Sequence, residues 1–389
     1  MGFIRKPKKF GRWQNWRLKQ EKKKQLRKTG FSLGEPEDVS QVWSLDEKDA
    51  YVVAPVRKRL PQLVLSVGIF LALTAAIFWL LPYVVERFYG ASDNIVQELT
   101  PELLFAEDTA VVKVSVTNLF SEARAGSERK IQLLYNEPVR VIREDEKSGF
   151  SWIQTTDGLQ GYVKTADLLF ESESVEPRLH RYKLVISDPY KRVMTHAVRG
   201  TLCVEVMMNT VLYSDFKGDG VYQVALPGGG TGWISSSGVV ELGVDKSIEK
   251  VGARYFVSSA QSFHYATLIP GGISVRGASV NGIVYVCAGI NGLEVPRLMK
   301  DQFHIGEEVP LRYDPVSQIL DMNSFVPGDL IFFRDPKKPD SQEPYEMGIY
   351  MDTSGMVLMN HMSRTTVRVL KLEGDDALKS RVIAVRRIF

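Results

Sequence analysis

One short pattern occurs twice in this chain. Gly161-Tyr162-Val163 and Gly232-Trp233-Ile234 each follow a Gly-containing turn and close a series of short apolar segments. Glycine lets two strands approach closely, and the aromatic ring after it covers one end of a small apolar core. Before the first copy, strands are expected at 111–116, 137–142 and 151–155, with Asp157-Gly158 as the turn. Before the second they are expected at 184–186, 210–213 and 222–224, with Gly228-Gly229-Gly230 as the turn. Two copies make a tandem pair, because a solenoid needs more units. Residues 107–172 and 179–243 are therefore expected to form two small β-barrels.

The pattern changes in 247–389. Helices are expected over 251–264 and 281–287, with Ser279 or Asn281 near the start of the second. Strands are expected at 329–333, 346–351, 356–360, 366–370 and 382–387, which makes this region α+β. Five landmarks frame it: Pro270-Gly271-Gly272, Gly277-Ala278-Ser279-Val280-Asn281-Gly282, Val295-Pro296-Arg297, the segment Pro327-Gly328-Asp329 to Phe333, and Met347-Gly348-Ile349-Tyr350. In combination they resemble the NlpC/P60 family of cell-wall endopeptidases. The closing Gly-aromatic-Val/Ile of the two repeats resembles the bacterial SH3 (SH3b) domain, more weakly in the second copy. The first resemblance implies a papain-like fold for 247–389. Together they imply contact with peptidoglycan stem peptides.

A cysteine peptidase needs a thiolate at a helix start, a histidine to take its proton and a polar group to orient that histidine. By resemblance, the cysteine position falls on Val280, the histidine position on Glu346 and the third position on Asn360, with Met359 and His361 as neighbouring registers. The aromatic before the family's Trp-Gly-Gly falls on Leu268, and the tryptophan on Pro270. Val280 has neither a lone pair nor a proton to lose. The domain is therefore expected to be degenerate, with no catalytic residue and a groove able to hold peptide at Leu268, Ser279, Asn281, Glu346 and His361. Trp152, Tyr162, Tyr222 and Trp233 are candidate binding aromatics, of which one or two are expected to be core. The alternative is a working endopeptidase with a displaced nucleophile, Ser279 with His361 as base; a third is a purely structural assembly component. Arg297 and Asp329 are expected to satisfy backbone groups or each other, and Cys203 and Cys287 to be unpaired, buried thiols. The five histidines are scattered, so no metal or cofactor is expected.

The net charge of +3 hides a strongly basic start, where the first thirty residues carry one acid, Glu21. Leu63 to Leu81 is apolar and charge-free, with Arg57, Lys58 and Arg59 just before it. This predicts a basic cytoplasmic tail over 1–60, a transmembrane helix over 61–83 and a helical stalk over 84–106, as an uncleaved anchor rather than a signal peptide. The expected placement is single-pass in a bacterial inner membrane with the later domains periplasmic. The expected partner is peptidoglycan or a cell-envelope protein, and not nucleic acid.

Overall fold

The computed structural model describes residues 108–145, 147–360 and 365–389. The first module contains β1 (Thr109–Val112), β2 (Val116–Phe120), β3 (Arg129–Leu134), β4 (Pro138–Asp145), β5 (Phe150–Thr155), β6 (Gln160–Lys164) and β7 (Leu168–Leu169). They form a seven-stranded sheet in the order β3-β2-β6-β5-β4-β1-β7. The second module contains β8 (Tyr182–Ile186), β9 (Tyr190–Met194), β10 (Leu202–Met207), β11 (Val211–Gly218), β12 (Val221–Ala225), β13 (Thr231–Ser235) and β14 (Val239–Gly243). Its order, β10-β9-β13-β12-β11-β8-β14, repeats the first strand for strand.

The paired glycines explain the repeated pattern. A Cβ on Gly161 would stand 2.6 Å from the Phe120 carbonyl oxygen of β2, and one on Gly232 would stand 2.3 Å from Val193 Cγ1 of β9. At both places the closing strand crosses onto the second strand of its module, β6 on β2 and β13 on β9.

Neither sheet is a closed barrel, which corrects the expectation. The ends of the first ladder, β3 and β7, do not pair with each other, nor do β10 and β14 in the second. In the first module the reason is visible at the edge of β3. The Gln132 N–H donates to the Gly271 carbonyl oxygen of the C-terminal module at 3.0 Å, so the edge is used for docking rather than for closure.

The C-terminal module holds helix α1 (Ala253–Gln261), the hairpin β15 (Ile273–Ser274) and β16 (Gly277–Ala278), helix α2 (Val280–Gly289) and helix α3 (Met299–Gln302). Short strands β17 (Glu307–Glu308), β18 (Arg312–Tyr313) and β19 (Leu320–Asp321) follow. Then come β20 (Leu330–Phe333), β21 (Glu346–Tyr350), β22 (Met356–Met359), β23 (Arg368–Lys371), helix α4 (Asp376–Lys379) and β24 (Val382–Arg387). Six of the strands form an antiparallel sheet in the order β17-β24-β20-β21-β22-β23. One face packs Leu330, Phe332, Met347, Ile349 and Leu358 against α1 and α2, in a core that also takes in Leu134 of the first module and Met207 and Met208 of the second. The other face packs Ile331, Phe333, Tyr350, Val357 and Val382 in a separate cluster. The α+β organisation of this module is as expected.

The membrane expectation is corrected. Among the described residues no helix is long and apolar enough to cross a membrane. The longest, α2, has ten residues, about 15 Å at 1.5 Å per residue, against a bilayer core of about 30 Å. The tail 1–60, the expected span 61–83 and the stalk 84–106 lie outside the described residues. The transmembrane helix, the single-pass membrane partnership and the inner-membrane and periplasmic placement drawn from it therefore leave the account.

Candidate functional site

Helix α2 begins at Val280, with Ser279 as its N-cap in an extended conformation. The start is held in place by close backbone approach. A Cβ on Gly282 would fall 2.0 Å from the Gly272 carbonyl oxygen, so only glycine lets the first turn of α2 sit against the Pro270-Gly271-Gly272 segment. That carbonyl also accepts the Ser279 N–H at 3.0 Å. The Ser279 side chain makes no capping bond; its hydroxyl donates to the same carbonyl at 3.4 Å.

Val280 is 1% exposed and lies in the core cluster with Ile283, Val284 and Met347. Its isopropyl group offers nothing to attack an amide. Asn281 is committed elsewhere: its Nδ2 donates to the Arg297 carbonyl oxygen at 2.8 Å, while its own carbonyl accepts from Gln302 Nε2 at 3.0 Å. Leu268 is half-buried; its N–H donates to the Thr365 carbonyl at 2.8 Å, and it bridges to Ala278.

Glu346 starts β21 opposite Phe333 of β20. Met347 belongs to the helix-side core, and strand alternation sends Glu346 to the other face, where Phe333 also lies. There its carboxylate meets Arg381 Nη2 at 2.5 Å, and the side chains are 8% and 14% exposed. Arg381 is itself fixed by donating to the Arg334 carbonyl oxygen at 2.9 and 3.1 Å. Glu346 is thus paired with a guanidinium and turned away from the start of α2. Asn360, half-buried, has a buried side-chain carbonyl oxygen with no partner among the described residues. His361 lies outside the described residues.

Among the four candidate aromatics, Trp152 and Tyr162 come together edge-on, with ring centroids 4.7 Å apart, on half-buried positions of β5 and β6. Lys130 Nζ lies 6.0 Å from the Trp152 ring, and Arg143 donates to the Tyr162 hydroxyl at 3.2 Å. Trp233 packs edge-on against exposed Phe216 at 5.7 Å. Tyr222 is core: its ring is buried and its hydroxyl donates to Glu241. Burial is the chief cause that raises the Tyr222 pKa.

Arg297 and Asp329 do not satisfy each other, but each meets a backbone group as expected: Arg297 Nη1 donates to the Gln132 carbonyl oxygen at 3.5 Å, and Asp329 Oδ2 accepts the Val326 N–H at 2.9 Å. Asp329 is fully buried and pairs with Arg387 at 2.8 Å. Arg297, 3% exposed, reaches into the first module, with Nη2 2.5 Å from Glu137 and Nε 2.9 Å from Asp157. It also lies 4.4 Å from the Tyr285 ring centroid. Burial opposes the Arg297 charge; Glu137 foremost, with Tyr285 and Asp157, outweighs it and raises the pKa further. The arginine was visible as a landmark, but its partners stand 140 and 160 residues away in the chain, beyond the reach of any spacing pattern.

Both cysteines are free. Cys287 is buried two turns along α2 from Val280, and burial pushes its thiol well up. Cys203 is exposed, which corrects the expectation of a buried thiol. Among the described residues no group of three or more His, Cys, Asp and Glu side chains is placed to hold a metal ion.

Comparison with known proteins bears on the scaffold. Residues 119–168, in the first module, match the family described as bacterial dipeptidyl-peptidase Sh3 domain. A curated relative, Dipeptidyl-peptidase 6 of Lysinibacillus sphaericus, is 23% identical over 230 residues, which is 58% of this chain and 81% of the relative. The crystal structure of an NlpC/P60 family protein from Bacillus cereus ATCC 10987 superposes with a TM-score of 0.61 at 16% identity, covering 72% of this chain and 99% of that one. At this identity the likeness is one of fold. One module is matched to the Sh3 family; the second shares its strand order.

Proposed function

We propose that this chain is a non-hydrolytic protein on an NlpC/P60-like scaffold, which binds cell-wall peptide instead of cutting it. The observation that carries the reading is Val280, a buried hydrocarbon side chain at the first residue of α2. Helix starts lower a thiol's pKa and so favour nucleophilic cysteine there; a valine cannot be ionised by any environment. The Arg381 pair on Glu346 supports the same reading, since it holds the carboxylate on the face of the sheet away from the start of α2. Ser279, the alternative nucleophile, has its hydroxyl turned to a carbonyl oxygen. The relative's name, a dipeptidyl peptidase, and the fold likeness supply the class of ligand, a wall-type peptide. The half-buried pair Trp152 and Tyr162 supplies the binding aromatics in this reading.

The test is to incubate the full-length protein with purified sacculi and soluble muropeptides. Retention on sacculi without any new cleavage product is expected. Cleavage that disappears in Ser279→Ala would establish the displaced-nucleophile alternative. Neither retention nor cleavage would leave only a protein-binding assembly role.

A further inference from the structure

A cavity of about 380 Å³ lies where the three modules meet, and its lining includes neither Val280 nor Glu346. Its floor is apolar: Val116 of β2, Met207 of β10 and Ile269 of the segment before β15. Its walls carry the hydroxyls of Ser115 and Ser274, and among the described residues neither hydroxyl has a hydrogen-bond partner. Ser274 is only 6% exposed. Neither Oγ is a buried, unsatisfied atom; both open into the cavity, where a hydroxyl can donate to or accept from a polar group of a ligand.

The charge at the mouth narrows the class of ligand. Arg276 binds the Glu205 carboxylate, and Arg192 approaches the same carboxylate at 4.0 Å. Arg276 and Glu205 are the charged residues of the lining, and Arg192, outside it, adds a second positive charge beside Glu205. The Arg276 guanidinium lies 5.9 Å from the Tyr190 ring centroid, so it has two neighbours that fix its plane. A guanidinium has five N–H donors, and Glu205 does not exhaust them. The volume falls in the range of small-ligand sites, which favour junctions between domains.

We propose that this junction cavity binds a small amphiphilic carboxylate of amino-acid or dipeptide size. The carboxylate meets Arg276, an apolar side chain rests on Val116, Met207 and Ile269, and the peptide's polar atoms meet Ser115 and Ser274. Glu205 is a positioning residue that holds Arg276 in place. The inference stands on the cavity alone and not on the wall-peptide reading above.

Calorimetric titration of the full-length protein with glycyl-leucine and with its C-terminal amide tests it. Glycyl-leucine is expected to bind, and the amide about tenfold more weakly or worse, because it loses the charge-assisted bond to Arg276. Arg276→Gln changes a mostly exposed side chain and is expected to keep the melting temperature while losing about tenfold in affinity for the dipeptide. Ser115→Val, which leaves every charge in place, is expected to cost about threefold. The proposal is overturned if glycyl-leucine gives no binding up to about 10 mM, where contacts of this kind should register. Equal binding of the amide, or unchanged binding in Arg276→Gln, overturns it as well.

Discussion

Replacing Arg297 by alanine should uncouple the first module from the third. The guanidinium is 3% exposed, and its two carboxylate partners differ in burial: the Glu137 side chain is 12% exposed and that of Asp157 is 35% exposed. Removing one member of a buried ion pair costs about 3–5 kcal/mol, because the other charge stays buried without a partner. Glu137 comes close to that regime, since it would keep only the Leu134 N–H, which donates to its other carboxylate oxygen at 2.9 Å. Asp157 keeps access to water, and its share is at most about 1 kcal/mol. Arg297→Ala is therefore expected to lose about 3–5 kcal/mol, dominated by stranded Glu137. Adding Glu137→Gln should return a large part of that loss, since the stranded group is then neutral. Urea unfolding followed by tryptophan fluorescence and by far-ultraviolet circular dichroism measures both quantities. The wild-type transitions should coincide, and those of Arg297→Ala should separate as the modules lose their tie. A loss below about 1 kcal/mol, the value of an exposed pair, would refute the reasoning, as would a double variant no more stable than the single one.

Three further outcomes follow from the same geometry. Gly282→Ala places a Cβ 2.0 Å from the Gly272 carbonyl oxygen and should destabilise by about 1–3 kcal/mol or more in thermal unfolding, with the start of α2 displaced. In the native protein a thiol reagent at mild alkaline pH should titrate exposed Cys203 and spare buried Cys287, whose thiol burial pushes up, and both should react after denaturation. Glu241 is held below the usual carboxylate range, chiefly by its hydrogen bond from Lys217 at 2.7 Å. Its contribution is therefore present above the unfolded carboxylate pKa of about 4.3 and is lost as the pH falls through the lower folded value. The melting-temperature gap between wild type and Glu241→Gln should accordingly be widest near neutral pH and close in acid.

The parts of this molecule that were legible in the sequence are those set by local rules. The Gly-aromatic-Val/Ile repeat marked β6 and β13 because only glycine fits against Phe120 and Val193. The α2 helix and the core strands β20, β21 and β22 followed from apolar runs bounded by glycine and proline. What stayed hidden depends on partners far along the chain. Strand β3, Arg129–Leu134, has a charged start, Arg129-Lys130, that dilutes its alternation, and its edge is satisfied by Gly271 in another module. That docking is also why the expected barrel does not close. At the candidate site the residue types could be read directly, Val280 and Glu346 above all. The ion pair that occupies Glu346 comes from Arg381, 35 residues away, and only the fold brings them together. The junction cavity is built from loops and strand ends of three modules, and no single stretch of sequence signals it.

Turnover is the most direct measurement of the central claim. Full-length protein mixed with a purified, defined muropeptide, followed by chromatography over a long incubation, should return the muropeptide intact. A new peptide fragment whose amount grows with protein concentration, and which survives re-purification of the protein, would contradict the account.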